Sequence, residues 1–172
     1  MVSPSSKHTN NLPPVTFRNE ALPEDRKSLQ QILLSTGIFH PYELDVAMEL
    51  LDDRLQKGAK SDYLFVFADV VGTPAGYACY GPITVTDRRF DLYWIAVGKE
   101  MQGRGIGGML LGRVEKHIAE LGGTYVVVET SSRDVYKATR EFYRKHCYLE
   151  AARIPQYYSD TDDKVVFMKA LL

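Results

Sequence analysis

Apolar residues recur along this chain in two rhythms. Three stretches are apolar at strand density: 63–71, 90–97 and 124–130. Other stretches place apolar residues three or four apart, the spacing of one helical face. Leu44, Met48, Leu51 and Leu55 do so in 41–57, and Ile106, Leu110, Val114, Ile118 and Leu121 do so in 104–121. Punctuation supplies the rest. Val15–Arg18 is a short first strand. A helix opens at Pro23 and runs through Leu29, Ile32 and Leu33 to near Gly37, and Gly58 ends the second helix. Gly72 to Ala75 turns strand 63–71 into a strand from Gly76 to about Val85, making a hairpin. After strand 124–130, Asp134 is placed to cap a helix from Val135 to about Lys145. That helix carries Tyr136, Arg140 and Tyr143 on one face and Val135, Ala138 and Phe142 on its neighbour, the expected core side. Two last strands, 147–154 and 164–171, are separated by Pro155 and the acidic turn 160–163. The predicted order is β α α β β β α β α β β. Residues 1–13, rich in Ser, Asn and Pro, are expected to form a disordered tail ahead of one domain over 14–172.

Between strand 90–97 and helix 104–121 lies Gln102-Gly-Arg-Gly-Ile-Gly-Gly108. Strand, glycine-rich turn and helix start together make an anion site. Unpaired backbone N–H groups point outward, the helix dipole favours negative charge, and glycine allows close approach. The loop is therefore expected to hold a pyrophosphate. Gly103, Gly105 and Gly108 fit G-x-G-x-x-G, with Glu129 near the place of a ribose-binding acid. In a dinucleotide fold, however, the glycines follow the strand directly. Here Gly98 to Gln102 intervene, and too little βα sequence remains for such a domain. Gln102-x-x-Gly105-x-Gly107 offers a different pattern.

Composition narrows the picture. A net charge of −1 suggests no general nucleic-acid or membrane surface. No apolar run reaches transmembrane length, and the N-terminus lacks a signal-peptide core. Cys79 and Cys147 form no disulfide framework and are expected to be free, small core residues in a reducing cytoplasm. The four histidines have no neighbours at metal-ligand spacing, so no metal is expected.

Three motifs then point to one family. Gln102-Gly-Arg-Gly-Ile-Gly107 resembles the acyl-CoA signature [Gln/Arg]-x-x-Gly-x-[Gly/Ala] of the GNAT acyltransferases. It is joined by the strand ending Val128-Glu-Thr130. Thr139-Arg-Glu-Phe-Tyr143 is similar to the family's Ala-Arg-x-Phe-Tyr-x-x-x-Gly-Phe. The usual glycine is replaced, since the chain reads His146-Cys147-Tyr148, and one of those residues must take a glycine-like turn. The resemblance covers residues 14–172. It implies an α/β (α+β) fold: a mixed central sheet of about seven strands, about four flanking helices and a splayed central strand.

The activity it implies is acetyl transfer from acetyl-CoA to a primary amine of a small molecule or peptide. The loop from Gln102 through Gly103, Arg104, Gly105 and Ile106 to Gly107 would hold the pyrophosphate. The backbone of Ile95, Ala96 and Val97 would pair with the pantetheine arm, with Tyr136 as a further cofactor contact. Tyr143 matches the general acid, and a phenol stays protonated at neutral pH. Glu129, on a buried strand, would act as base, bind the acceptor ammonium, or serve structure alone. Asp91 and Tyr93 share the face of Ile95 if no bulge intervenes, and could hold the amine or a water relay. Thr130, Ser131 and Ser132 could contact either substrate. The acidic turn with Tyr157 and Tyr158 is either a solvated loop or, as the resemblance allows for the C-terminal hairpin, a border of the acceptor pocket, and an exposed strand edge makes a homodimer reasonable. The rival from another class is a non-catalytic acyl-CoA-binding module.

Overall fold

The computed structural model describes residues 13–171; the tail expected over 1–13 lies, Pro13 apart, outside the described residues. Seven strands and four helices follow the predicted order: β1 (Val15–Arg18), α1 (Asp25–Thr36), α2 (Pro41–Lys57), β2 (Leu64–Val70), β3 (Thr73–Pro82), β4 (Arg89–Val97), α3 (Ile106–Glu120), β5 (Tyr125–Ser131), α4 (Lys137–Lys145), β6 (Leu149–Ser159) and β7 (Asp162–Ala170). They form one mixed sheet in the order β1-β2-β3-β4-β5-β7-β6. Only β4 and β5 pair in parallel. A single parallel pair excludes the doubly wound sheet that a dinucleotide site needs. Among the described residues no helix is long and apolar enough to cross a membrane.

Strand alternation buries both faces of the sheet. Phe65 and Phe67 of β2 turn to one side, against Leu29 and Leu33 of α1 and Met48 and Leu51 of α2. Val66 and Ala68 turn to the other, against Ile106, Leu110, Val114 and Ile118 of α3. On β1, Arg18 bridges the carboxylates of Asp69 (2.8 Å) and buried Asp25 (2.5 Å), which locks the edge strand to the start of α1.

Two irregularities in the middle of the sheet create the site. β4 and β5 pair only through Arg89↔Tyr125, Phe90↔Val126 and Asp91↔Val127. Beyond Asp91 they diverge, although β4 continues to Val97 and β5 to Ser131. On its other edge β4 carries a bulge: Cys79 lies opposite Trp94 and Tyr80 opposite Leu92, so Tyr93 is the extra residue. A bulge bends a strand and increases its twist, which turns β4 away from β5. β5 is held on its far side by β7, up to Ser131↔Lys164.

Several expected boundaries move. α1 starts at Asp25 rather than Pro23, because the Asp25 carboxylate accepts the Leu22 N–H (2.7 Å) and folds the preceding residues into a turn. β3 starts before Gly76 and stops at Pro82, and α3 starts at Ile106. Pro155 does not separate the last strands. It lies within β6, an edge strand where a missing N–H is tolerated, beside an irregularity at Gln156 with φ 52°. Asp134 caps nothing; it opens a short 3-10 turn. Val135 and Ala138 are exposed; the buried residues are instead Tyr136, in the turn before α4, and Tyr143 on α4, with Phe142 half-buried.

Cys147 is exposed, not a core residue. It supplies the left-handed residue in place of glycine, at φ 65°. The Tyr148 N–H reaches the Tyr143 carbonyl (3.0 Å) and the Cys147 N–H the Arg144 carbonyl (3.1 Å), the double bond of a Schellman helix end. A side chain in that region carries a steric cost that glycine escapes. Cys147→Gly is therefore expected to raise stability by about 1 kcal/mol, read as a higher urea midpoint at unchanged m-value.

Candidate active site

The glycine loop is built by backbone geometry. A 3-10 turn over Lys99–Met101 follows β4, and Gly103 and Gly105 both sit at φ 77° with open space where a Cβ would stand. The first bond of the α3 ladder runs from the Met109 N–H to the Gly105 carbonyl (3.1 Å). The amides from Gly103 to Gly108 precede it and are available to an anion. At Gly107 the backbone lies close to α4: a Cβ there would touch the Phe142 ring at 3.4 Å, an ordinary contact distance.

Two residues assigned to this loop do different work. The Gln102 N–H donates to the Lys99 carbonyl (3.3 Å) and its side-chain amide donates to the Val97 carbonyl (3.1 Å). Gln102 thus braces the loop instead of offering an amide. The Arg104 guanidinium folds back on the Met101 sulfur and the Pro13 carbonyl, as a structural contact. Ile106 has a buried side chain, so only its backbone can serve a ligand.

The gap between β4 and β5 opens into a cavity of about 370 Å³. Asp91, Tyr93 and Ile95 of β4, Glu129 and Thr130 of β5, and Tyr136 and Tyr143 reach it. The bulge divides them. Ile95 packs in the core on the α3 side, whereas Tyr93, Trp94 and Ala96 pack towards α1 and α2. Asp91 and Tyr93 therefore do not share a face with Ile95, and the cavity passes through the sheet from one side to the other. Backbone groups of β4 beyond Asp91 that face the gap have no β5 partner, so a ligand with amide groups can complete them.

Tyr143 is 3% exposed, and no side-chain hydrogen bond from its hydroxyl occurs among the described residues. Burial pushes its phenol above the usual range, so it stays protonated. The Thr130 hydroxyl is buried beside the same cavity and has no partner among the described residues. Tyr136 does not turn to the glycine loop; its hydroxyl approaches Glu43 (3.4 Å) and its ring meets Phe39 edge-on.

Glu129 departs from expectation. Its side chain is 50% exposed and pairs with Lys164 at 2.6 Å, because its position on β5 lies beyond the last β4 pair, where the sheet has opened. Asp91, half-buried, is the more desolvated carboxylate instead. It has no hydrogen-bond or ion-pair partner among the described residues. Desolvation, then the Glu129 charge, push its pKa up to about 6, against the opposing pull of Lys164.

Sequence reasoning left the role of 22–57 open. The joint between α1 and α2 supplies Phe39, His40, Tyr42 and Glu43 to the cavity wall. Aromatic residues between two helices were the available signal. Trp94 and Arg133 also line the cavity unannounced, whereas Tyr158 and Asp162 bring the terminal hairpin to its border, where the resemblance places it. Ser131, a candidate contact, is engaged with Asp162 (2.7 Å) and fastens that hairpin to β5.

Comparison with known proteins agrees with this arrangement. A GNAT-family protein from Desulfovibrio desulfuricans, solved by crystallography, is 40% identical and superposes with a TM-score of 0.90 over 92% of this chain and 100% of that one. A Salmonella typhimurium protein solved with its cofactor acetyl-CoA shares the fold at 18% identity, with a TM-score of 0.71 over 92% of this chain and 95% of that one. An uncharacterized N-acetyltransferase of Methanocaldococcus jannaschii is 33% identical over 76 residues, 44% of this chain and 47% of that one, so the match spans about half of that relative. Residues 27–147 match the family model described as Acetyltransferase (GNAT) family. With the splayed β4–β5 pair and the glycine loop in place, these matches establish that the chain belongs to the GNAT acetyltransferase family.

Proposed function

We propose that this chain transfers the acetyl group of acetyl-CoA to a primary amine by direct attack. The observation that carries the proposal is the β4–β5 cavity, which brings an unpartnered carboxylate, Asp91, and an unpartnered phenol, Tyr143, to one space. Acetyl-CoA supplies the activated acyl group. Amides of Gly103 through Gly107 would bind its pyrophosphate, and the free edge of β4 at Ile95 and Ala96 would take its amides. The Val97 carbonyl is partly engaged by Gln102.

Asp91 attracts the acceptor ammonium and removes one proton, directly or through a water. The neutral nitrogen attacks the thioester carbon, so a C–N bond forms and the C–S bond breaks. Tyr143 gives its proton to the departing sulfur. The nitrogen loses its second proton, which restores the phenol, and the first leaves Asp91 for solvent. Glu129, held by Lys164, adds negative charge beside Asp91 and strengthens the pull on the ammonium. Thr130 orients the thioester with its free hydroxyl.

The test is thermal unfolding with and without acetyl-CoA, followed by thiol release with amines. Saturating acetyl-CoA is expected to raise the midpoint by about 5–10 °C, with NAD inert. Binding without thiol release for any amine, peptides included, would favour the acyl-CoA-binding module.

A further inference from the structure

Charges on the acceptor side of the cavity do not balance. Among the described residues four carboxylates face it: Glu43, Asp91, Glu129 and Asp162. Two cations answer them, and each is already engaged. Lys164 sits on Glu129 at 2.6 Å, with its ammonium 3.8 Å from the Tyr157 ring centre. Arg133 approaches buried Asp162 at 3.5 Å and lies over the Tyr136 ring. His40 is held against Arg133. Its Nε2 is 3.0 Å from an Arg133 nitrogen, and a guanidinium can only donate, so that ring nitrogen is the acceptor in the contact. The Glu43 carboxylate accepts N–H and O–H groups from His40 and Tyr136 but meets no cation among the described residues. Asp91 meets neither a cation nor a hydrogen-bond donor there.

The wall also carries the aromatic rings of Phe39, Tyr42, Tyr93 and Trp94. Such rings favour apolar or aromatic bodies and cations. Two contacts tie the wall together. The α1–α2 joint reaches across the cavity to the turn before α4 through the His40–Arg133 and Glu43–Tyr136 contacts, which closes one side of a space of about 370 Å³.

We propose that the acceptor is a compact primary amine with an apolar or aromatic body and no carboxylate of its own. This rests on the acetyltransferase reading above. An acceptor carboxylate would find no free cation among the described residues and would stand among unbalanced acids, where like charges oppose binding. An ammonium meets the unpartnered Asp91.

Matched pairs differing only in the carboxylate test the inference: 2-phenylethylamine against phenylalanine, tryptamine against tryptophan, and 1,5-diaminopentane against lysine. Thiol release from acetyl-CoA is measured with each, alongside a short peptide with a free N-terminus. In each pair kcat/KM is expected to be about 100-fold higher for the amine than for the amino acid. Amino acids used as well as their amines would overturn the inference and leave the acetyltransferase reading standing. Turnover confined to the peptide would do the same. If acetyl-CoA neither shifts the melting midpoint nor releases thiol with any compound, the reading beneath the inference has failed.

Discussion

Asp91→Asn is expected to lower kcat/KM for the amine by about 100- to 1,000-fold, the usual scale for a lost general base. Asparagine keeps the shape of the side chain but neither attracts the ammonium nor accepts its proton. The same substitution is expected to stabilise the fold. In the folded chain the Asp91 pKa is raised to about 6 by desolvation and the Glu129 charge, from a reference near 3.8. A raised carboxyl pKa means that folding favours the protonated form. Its favourable share is therefore complete below pH 3.8 and lost as pH rises through 6. Above pH 6 the ionised group weakens the fold, and the neutral amide removes that burden. The site is half-exposed and screened, so the gain is about 1 kcal/mol at about pH 8, fading towards about pH 4. Denaturant curves at both pH values check this. An inactive variant that is more stable at the higher pH is the signature of a residue kept for chemistry.

Tyr143→Phe is expected to reduce kcat by about 100-fold and leave the KM for acetyl-CoA within about twofold. The phenol is buried against Tyr148 and Phe167, with ring centroids at 5.5 and 5.8 Å, so the ring itself is core. Its hydroxyl has no partner among the described residues, so its removal leaves no orphaned group behind and the fold is undisturbed. Burial holds the proton on the oxygen well beyond neutral pH, which suits an acid that protonates a leaving thiolate and not a base. Stopped-flow or steady-state thiol release separates the kcat effect from binding.

The fold was legible because its signals are local. Helical spacing at Ile106, Leu110, Val114 and Ile118, and the apolar strands around it, place the layers without reference to anything distant. The glycines of the loop were legible for the same reason, since Gly103 and Gly105 take left-handed backbone in turns that lie within a few residues. Roles that depend on register were not. One extra residue, Tyr93, turned Asp91 and Ile95 to opposite faces, and nothing in the strand's composition marks it. Glu129 was expected to be buried because its strand is buried, yet the strands part before reaching it and Lys164 arrives from β7. The wall from Phe39 to Glu43 lies some ninety residues from its partners Arg133 and Tyr136, a separation no periodicity bridges. Pro155 misled in the other direction, because only the finding that β6 is an edge strand explains its place in a ladder.

The role of Asp91 is decided by the pH dependence of kcat/KM for a simple amine, wild type beside Asp91→Asn. Wild-type activity is expected to rise with unit slope through an apparent pKa of about 6, as the base ionises, and then to level until the ammonium itself titrates. In Asp91→Asn the residual activity should lack that limb. An unchanged limb in the variant, or a wild-type profile that is flat through that range, would contradict Asp91 as the base and with it the assignment of the two sides of the cavity.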